Sequence, residues 1–386
     1  MPLRVALCQP LIPQYRVPVY ARLAASPGID LTVWASRGAR GSLKSAPTEG
    51  LFEVVESEVR WFGPLLWQPN SLACMRTTPP PDVVMLNWNS RALEMPIAVR
   101  RARRRGIGTV LWSHGFGTKA PLVGDWVRRS FARSADAFML YGPTGREKLR
   151  REGFPPEKLF MAVNALDQSP IQAAVADWSA DPTRLEAFRA EHGLGDDPVM
   201  LYIARLEPEK RPDLAVDALA RVAERVPARL VLIGDGSVRG DLEAQAKRLG
   251  VRERVHFAGA LYDDRDIAPW ALNSKVLVHP GAIGLSIFHA FGYRLPVVTS
   301  DRVEIQMPEF ETHVDGENGL LYRHGDAEHL ADRLLAILED EPRRLKMAEA
   351  AFEVVSGPTG RNIEGMVGGI LEAIDHAAAQ HGKSRR

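Results

Sequence analysis

Short apolar runs alternate with longer mixed stretches along the first third of the chain. Leu3–Leu7, Leu31–Trp34, Val83–Leu86, Thr109–Trp112 and Ala137–Tyr141 are rich in β-branched and aromatic residues and read as strands. Between them, Val17–Ala25, Leu93–Arg105 and Trp126–Ser134 carry the wider spacing of one-sided helices. Strand and helix taking turns predicts a parallel sheet covered on both faces.

The rhythm stops over Ser169–Asp197, where a polar helix is followed by GLGDDP. It resumes with Val199–Ile203, Pro212–Val226, Ala228–Ile233, Ser237–Leu249, Val255–Ala258, Lys275–His279, Leu285–Gly292, Pro296–Thr299, Leu320–Tyr322 and Ala327–Asp340, and Asn362–Gln380 reads as a last helix. The expectation is an α/β chain of two Rossmann-like domains facing each other across a cleft. The first spans 1–175, completed by a C-terminal helix in 361–386; a linker follows over 176–197, then the second domain over 198–360. At 386 residues two cores are the default, and open α/β sheets receive ligands at the carboxyl ends of their strands.

Composition narrows the class. With 45% hydrophobic residues, 25% charged residues and a net charge of +1, the chain is ordinary for a globular protein and offers nucleic acid no basic surface by bulk charge. Its 2 cysteines, Cys8 and Cys74, suit neither a disulfide framework nor a metal site, which fits a cytoplasmic protein. The N-terminal apolar run is broken by Gln9 and Pro10, and no segment reaches the roughly 18–20 apolar residues of a membrane span. Membrane association, at the inner face, is therefore expected to be peripheral.

Two segments carry chemistry. In LYIARLEPEKRP, a strand ends near Ala204 and Pro208 forbids an immediate helix, which leaves Arg205 and Lys210 on one loop. In HPGAIGLS, Gly281 and Gly284 lie between a strand and a helix, where backbone can approach a ligand closely and N–H groups are free. Two cations beside such N–H groups suit a diphosphate, so the substrate class expected is nucleotide-activated. Read singly, the cations are an ordinary solvated pair and the glycines a packing turn.

The order of motifs adds a resemblance. RLEPEK, LIGDGSVRGDLEAQAKRLG, VHFAGAL, GAIGL, GYRLPVVTSD and HVDGENGLLYRHGDAEHLADRL follow one another over roughly 199–338 as in the donor-binding domain of GT-B glycosyltransferases, especially family 4. The resemblance implies a retaining, hexosyltransferase-like enzyme of polysaccharide or glycoconjugate assembly. Its donor would be a UDP, GDP or dTDP sugar, and its acceptor a glycan, lipid-linked or small-molecule hydroxyl. It implies that Arg205 and Lys210 hold the diphosphate, that Gly284, Leu285 and Ser286 contact it through main chain, and that Ala260 and Leu261 lie against the base. No cofactor is implied, and no Asp-x-Asp at a strand end marks a metal, so the cations take the metal's part.

One departure stands out. Family members usually carry two glutamates, eight positions apart, for the sugar and ribose hydroxyls; here Gly281 and His289 hold those places. His289 is either a ribose partner or a polar residue near a helix, and a dTDP donor, with one ribose hydroxyl fewer, becomes more plausible.

The first half matches more loosely. His114, in WSHGFG after a strand, is expected at the transferred sugar. The glycine-rich loop common after the first strand is missing, and Tyr15 and Arg16 stand there as acceptor-side candidates, with Asn89 of NWNSR as a third. VNALD (163–167) resembles the family's interdomain turn. Arg60–Trp67 is apolar and aromatic and Arg100–Arg105 basic, which reads either as packing loop and solvated helix end or as a lipid-facing pair. Two rivals to transfer remain: a GT-B-type nucleotide-sugar epimerase, and a non-catalytic nucleotide-sugar or glycan-binding protein.

Overall fold

The computed structural model describes residues 1–36, 45–63, 65–89, 91–113, 130–357 and 361–385. The chain forms two compact units, 1–164 with 363–386, and 165–362.

The first unit is built on a seven-stranded sheet, with strands β1 (Leu3–Cys8), β2 (Ile29–Ala35), β3 (Glu53–Glu56), β6 (Val83–Asn87), β7 (Gly108–Ser113), β8 (Ala137–Leu140) and β9 (Leu159–Met161) in the order 3-2-1-6-7-8-9. Every neighbouring pair is parallel. The central strands are buried end to end, which is why they read as unbroken apolar runs and not as alternating ones. Two short strands, β4 (Arg60–Phe62) and β5 (Leu65–Trp67), form a separate antiparallel hairpin. The helix Ile363–Ala379 returns to this unit and packs on β7, β8, β9 and the helix Val17–Ala24.

The second unit carries β10 (Val199–Ile203), β11 (Arg229–Ile233), β12 (Val255–Gly259), β13 (Ser274–His279), β14 (Val297–Ser300) and β15 (Gly319–Tyr322) in the order 12-11-10-13-14-15, again all parallel. Two-residue alternation assigns its two cores. Leu201, Val231 and Leu277 join Ile287, Phe288 and Phe291 on one face. Met200, Leu230, Leu232, Val276 and Val278 join Leu214, Leu219, Leu330 and Leu334 on the other.

The boundary corrects the sequence expectation. Residues 165–175 belong to the second unit, and 176–197 is no linker. The helices Ser169–Ser179 and Pro182–Glu191 occupy this stretch. Ile171, Ala174 and Trp178 are buried in the second core, and Trp178 donates to Arg265 O at 2.9 Å. Their apolar residues are few and widely spaced, so the stretch read as polar although one face is fully packed. The division falls inside VNALD, between Asn164 and Ala165.

Candidate functional site

Parallel pairing puts the ends of β10, β11, β12 and β13 along one edge of the second sheet, and the loops that leave them interlock. After β10 the chain turns through a short 3-10 helix, Pro208–Lys210, to Arg211 in the left-handed region (φ 51°) before the helix Pro212–Val222. After β13 it bends at Gly281 and turns at Leu285, already in the helical region, into the helix Ser286–Gly292. The two loops bond backbone to backbone: Gly281 N donates to Lys210 O at 3.1 Å and Ala282 N to Glu209 O at 3.4 Å. Lys210 Nζ donates to Ala282 O at 2.5 Å. Lys210 is thus bonded to the glycine segment, while the side chain of Arg205, on the same loop, pairs with Glu209.

This closeness explains Gly281. A Cβ there would stand 2.4 Å from Glu209 O and 2.6 Å from Lys210 C, so the place where a side chain would leave the backbone is filled by the neighbouring loop. The absent glutamate is thus more than a missing carboxylate, because the loops have closed over its position. Gly234 behaves similarly, with a Cβ 1.9 Å from Ala204 O, and the GDG turn serves packing against the cationic loop.

Electrostatics are uneven across the pair. Arg205 is more than half exposed, with Glu209 at 3.6 Å as its partner. Burial pushes the Lys210 ammonium below its usual range, and Arg205 adds to this while Glu209 and Glu309 oppose it. Glu309 is itself buried, and its Oε2 would lie 3.9 Å from a Cβ on Gly284. No sequence motif marked Glu309, because a short 3-10 helix, Pro308–Thr312, brings it in. Among the described residues, the N–H groups of Gly284, Leu285 and Ser286 form no hydrogen bond, while Ser286 Oγ donates to Ile203 O at 2.8 Å. The loop bearing the two cations is thus bonded to the segment that leads into three open donors.

Behind Lys210, at the end of β13, His279 is fully buried and stacked on Tyr202, with centroids 5.6 Å apart. Neither ring nitrogen has a partner. Burial, with Lys210 nearby, lowers its pKa to about 3, so the ring is neutral at physiological pH.

His289 lies one turn beyond Ser286. Its Nε2 is 3.6 Å from Asp264 Oδ1, and Tyr293 Oη donates to the same oxygen at 2.9 Å. Burial lowers the His289 pKa and raises that of Asp264, each opposed by the other's charge. Asp264 opens the helix Asp264–Leu272, directly after the loop holding Ala260 and Leu261. Leu261 and Leu285 both pack against the same core. His289 Nδ1 and Asp264 Oδ2 have no partner in the described chain and are not sealed in the core. Sequence reasoning missed Asp264 and Tyr293; the four-residue step from His289 to Tyr293 on a helix was the available signal.

In the first unit, Arg16 is 4% exposed, with its guanidinium 5.1–5.2 Å from the ring centres of Tyr15, Trp112 and Tyr141. Its Nη1 also donates toward Met366 Sδ at 3.0 Å. Asn89 closes a local turn, accepting from Arg91 N at 3.0 Å. His114 lies outside the described residues.

Residues 185–354 match the family described as Glycosyl transferases group 1, and 13–165 match the Glycosyl transferase 4-like domain. The alpha-D-kanosaminyltransferase of Streptomyces kanamyceticus is 27% identical over 59% of this chain and 58% of its own. The GDP-mannose-dependent alpha-(1-6)-phosphatidylinositol monomannoside mannosyltransferase of Mycolicibacterium smegmatis is 27% identical over 67% of each. The alignment to the first thus spans less than two thirds of that relative's length. Anabaena HepE, solved in complex with UDP, superposes with a TM-score of 0.75 at 18% identity, over 96% of this chain and 99% of its own. Fold, domain order and matched families define a GT-B glycosyltransferase homologue. Within that class the chain resembles family 4.

Proposed function

We propose that the chain is a metal-independent, retaining glycosyltransferase that moves a sugar from a nucleoside diphosphate to an acceptor hydroxyl in glycoconjugate assembly. The observation that supports this is the bonding of the loop that carries Arg205 and Lys210 to the loop 280–285, at whose end the N–H groups of 284–286 form no hydrogen bond among the described residues. In the reaction the bond from the sugar's anomeric carbon to the diphosphate oxygen breaks, and the acceptor oxygen forms its bond on the same face. The acceptor proton passes to the departing diphosphate. Arg205, Lys210 and the open N–H groups take up the charge that grows on that leaving group, the work a metal ion does elsewhere. His114 is assigned to the transferred sugar, and Tyr15, Arg16 and Asn89 to the acceptor side. The relatives that act with GDP-mannose or were solved with UDP support a nucleotide-sugar donor of this general kind.

His289 and Asp264 are assigned to the ribose. A carboxylate oxygen and an imidazole nitrogen, both without a partner among the described residues, lie on the helices that follow the base-side and diphosphate loops and match a vicinal diol. The carboxylate missing at position 289 is supplied from Asp264, which favours a ribonucleotide over dTDP.

Titration with UDP, GDP and dTDP in EDTA tests the donor assignment. Diphosphates are expected to bind and the matching nucleosides to bind at least about tenfold more weakly, since each charge-assisted contact contributes roughly 1.5–3 kcal/mol. Arg205→Ala and Lys210→Ala should each erase most of that difference. No binding of any nucleotide would sink the donor site, and sugar isomerisation without acceptor would make the chain an epimerase.

A further inference from the structure

Arg60–Trp67 and Arg100–Arg105 were singled out in the sequence, and the donor chemistry uses neither. The structure joins them into one surface of the first unit. In the hairpin, Trp61 faces Leu66 and Phe62 faces Leu65. Leu66 is buried in the sheet's core, which turns Leu65 and its cross-strand partner Phe62 outward; Arg60 and Trp61 are exposed as well, and Trp67 is half-buried. Leu66 N donates to Arg91 O at 2.9 Å and Leu93 N to Leu66 O at 3.0 Å, which lays 91–93 along the hairpin's edge. Ala92 is buried there, so Arg91 and Leu93 join the outward face.

The helix Met95–Arg104 continues the face. Met95, Ala98, Val99 and Ala102 point into the core, leaving Ile97, Arg100, Arg103 and Arg104 outside. Phe62 is 56% exposed, Ile97 50%, Leu93 45% and Leu65 38%, an unusual gathering of large apolar side chains on one patch. Arg60, Arg91, Arg100, Arg103 and Arg104 are exposed on the same segments. Glu94 is buried and takes its charge out of the face; Glu58, before the hairpin, is the exposed acid nearest in the chain.

We infer that this face docks on an anionic lipid membrane, with Phe62, Leu65, Leu93 and Ile97 entering the headgroup boundary and Arg60, Arg91, Arg100 and Arg104 meeting lipid phosphates. The pairing of apolar tips with a basic rim fits an anionic bilayer better than a protein surface, because the arginines extend as an open row along a helix and do not close into a pocket. No helix among the described residues is long and apolar enough to cross a membrane, so the contact is peripheral. A surface of this kind would bring the enzyme to a lipid-linked hydroxyl.

Vesicle flotation of the full chain tests this, using phosphatidylcholine vesicles with and without phosphatidylglycerol. The chain is expected to float with the anionic vesicles alone, and 0.5 M salt should weaken the binding strongly. Arg100→Gln with Arg104→Gln should weaken it about 25-fold, at about fivefold for each arginine near the surface. Phe62→Ser with Leu65→Ser should weaken it about tenfold or more while nucleotide binding stays unchanged and reports an intact fold. Absence of flotation overturns the proposal. So does flotation that ignores Phe62→Ser with Leu65→Ser, or a dimer in light scattering that those substitutions dissolve, since a second copy would then be the occupant.

Discussion

Gly281→Ala isolates the closure of the two donor-site loops. The added Cβ falls 2.4 Å from Glu209 O, about 1 Å inside ordinary contact, and the clashing atoms are backbone, which cannot rotate away. The loop 208–210 must retreat, and in doing so it stretches Gly281 N to Lys210 O and Ala282 N to Glu209 O and pulls Lys210 away from Ala282 O. Overpacking of this kind costs about 1–3 kcal/mol, and each weakened hydrogen bond adds roughly 0.5–1.5 kcal/mol. Taking about 3 kcal/mol, near the low end of that sum, a domain of roughly 200 residues should melt about 6–12 °C lower. Gly284→Ala is the control, because its Cβ meets nothing nearer than Met307 Cγ, at an ordinary 3.5 Å. Differential scanning fluorimetry and UDP or GDP titration on both variants provide the measurement. Gly281→Ala should lose stability and diphosphate affinity together, and Gly281→Glu should lose more of both, although it restores the residue usual in the family. A Gly281→Glu protein that melts within 1 °C of the parent and binds nucleotide more tightly would refute the argument.

Three further outcomes are expected. His279 has a pKa near 3 when folded against about 6.5 unfolded, so the unfolded state alone takes up a proton as pH falls below about 6.5. Its contribution to stability is whole above that pH and is lost at about 1.4 kcal/mol per unit on the way down. Urea midpoints at pH 7 and 4.5 should thus converge in His279→Leu relative to the parent, and equal pH slopes would exclude the effect. Asp264→Asn should reduce the preference for a ribonucleotide over its 2′-deoxy or 3′-deoxy counterpart by about tenfold, the scale of one charge-assisted bond. Nucleotide binding with an unaltered preference would remove Asp264 from the ribose while leaving the diphosphate assignment standing. Tyr293→Phe frees the Asp264 carboxylate from its tether and should produce a smaller loss of the same preference, read by the same titration.

Particular elements show what was readable in the chain. The strands of the second sheet and the inner strands of the first announced themselves as apolar runs, because parallel strands are buried on both faces, whereas the edge strands β3 and β9, short and only partly buried, were not read. Arg205, Lys210 and the glycine segment were legible since each lies directly past a strand, where topology fixes the edge on which it falls. The stretch 176–197 reads as a linker in the sequence because the packed face of its helices is small and only the tertiary contact of Trp178 reveals it. Asp264 was invisible for a related reason: it lies 25 residues from His289, and nothing local links an N-terminal helix carboxylate to an imidazole on another helix.

By itself, then, the sequence determined two α/β units, the cationic loop and the two absent glutamates. The tertiary structure decided what those absences mean. Backbone from a neighbouring loop fills the space at Gly281, and a carboxylate arrives beside His289 from a different helix. The same holds for the hairpin of Arg60–Trp67, whose aromatic residues could have been core or surface. Only the burial of Leu66 and Ala92 fixed the alternation and turned Phe62 and Leu65 outward. Local pattern sets which element a residue occupies; which face it presents, and to what, depends on packing against residues far away in the chain.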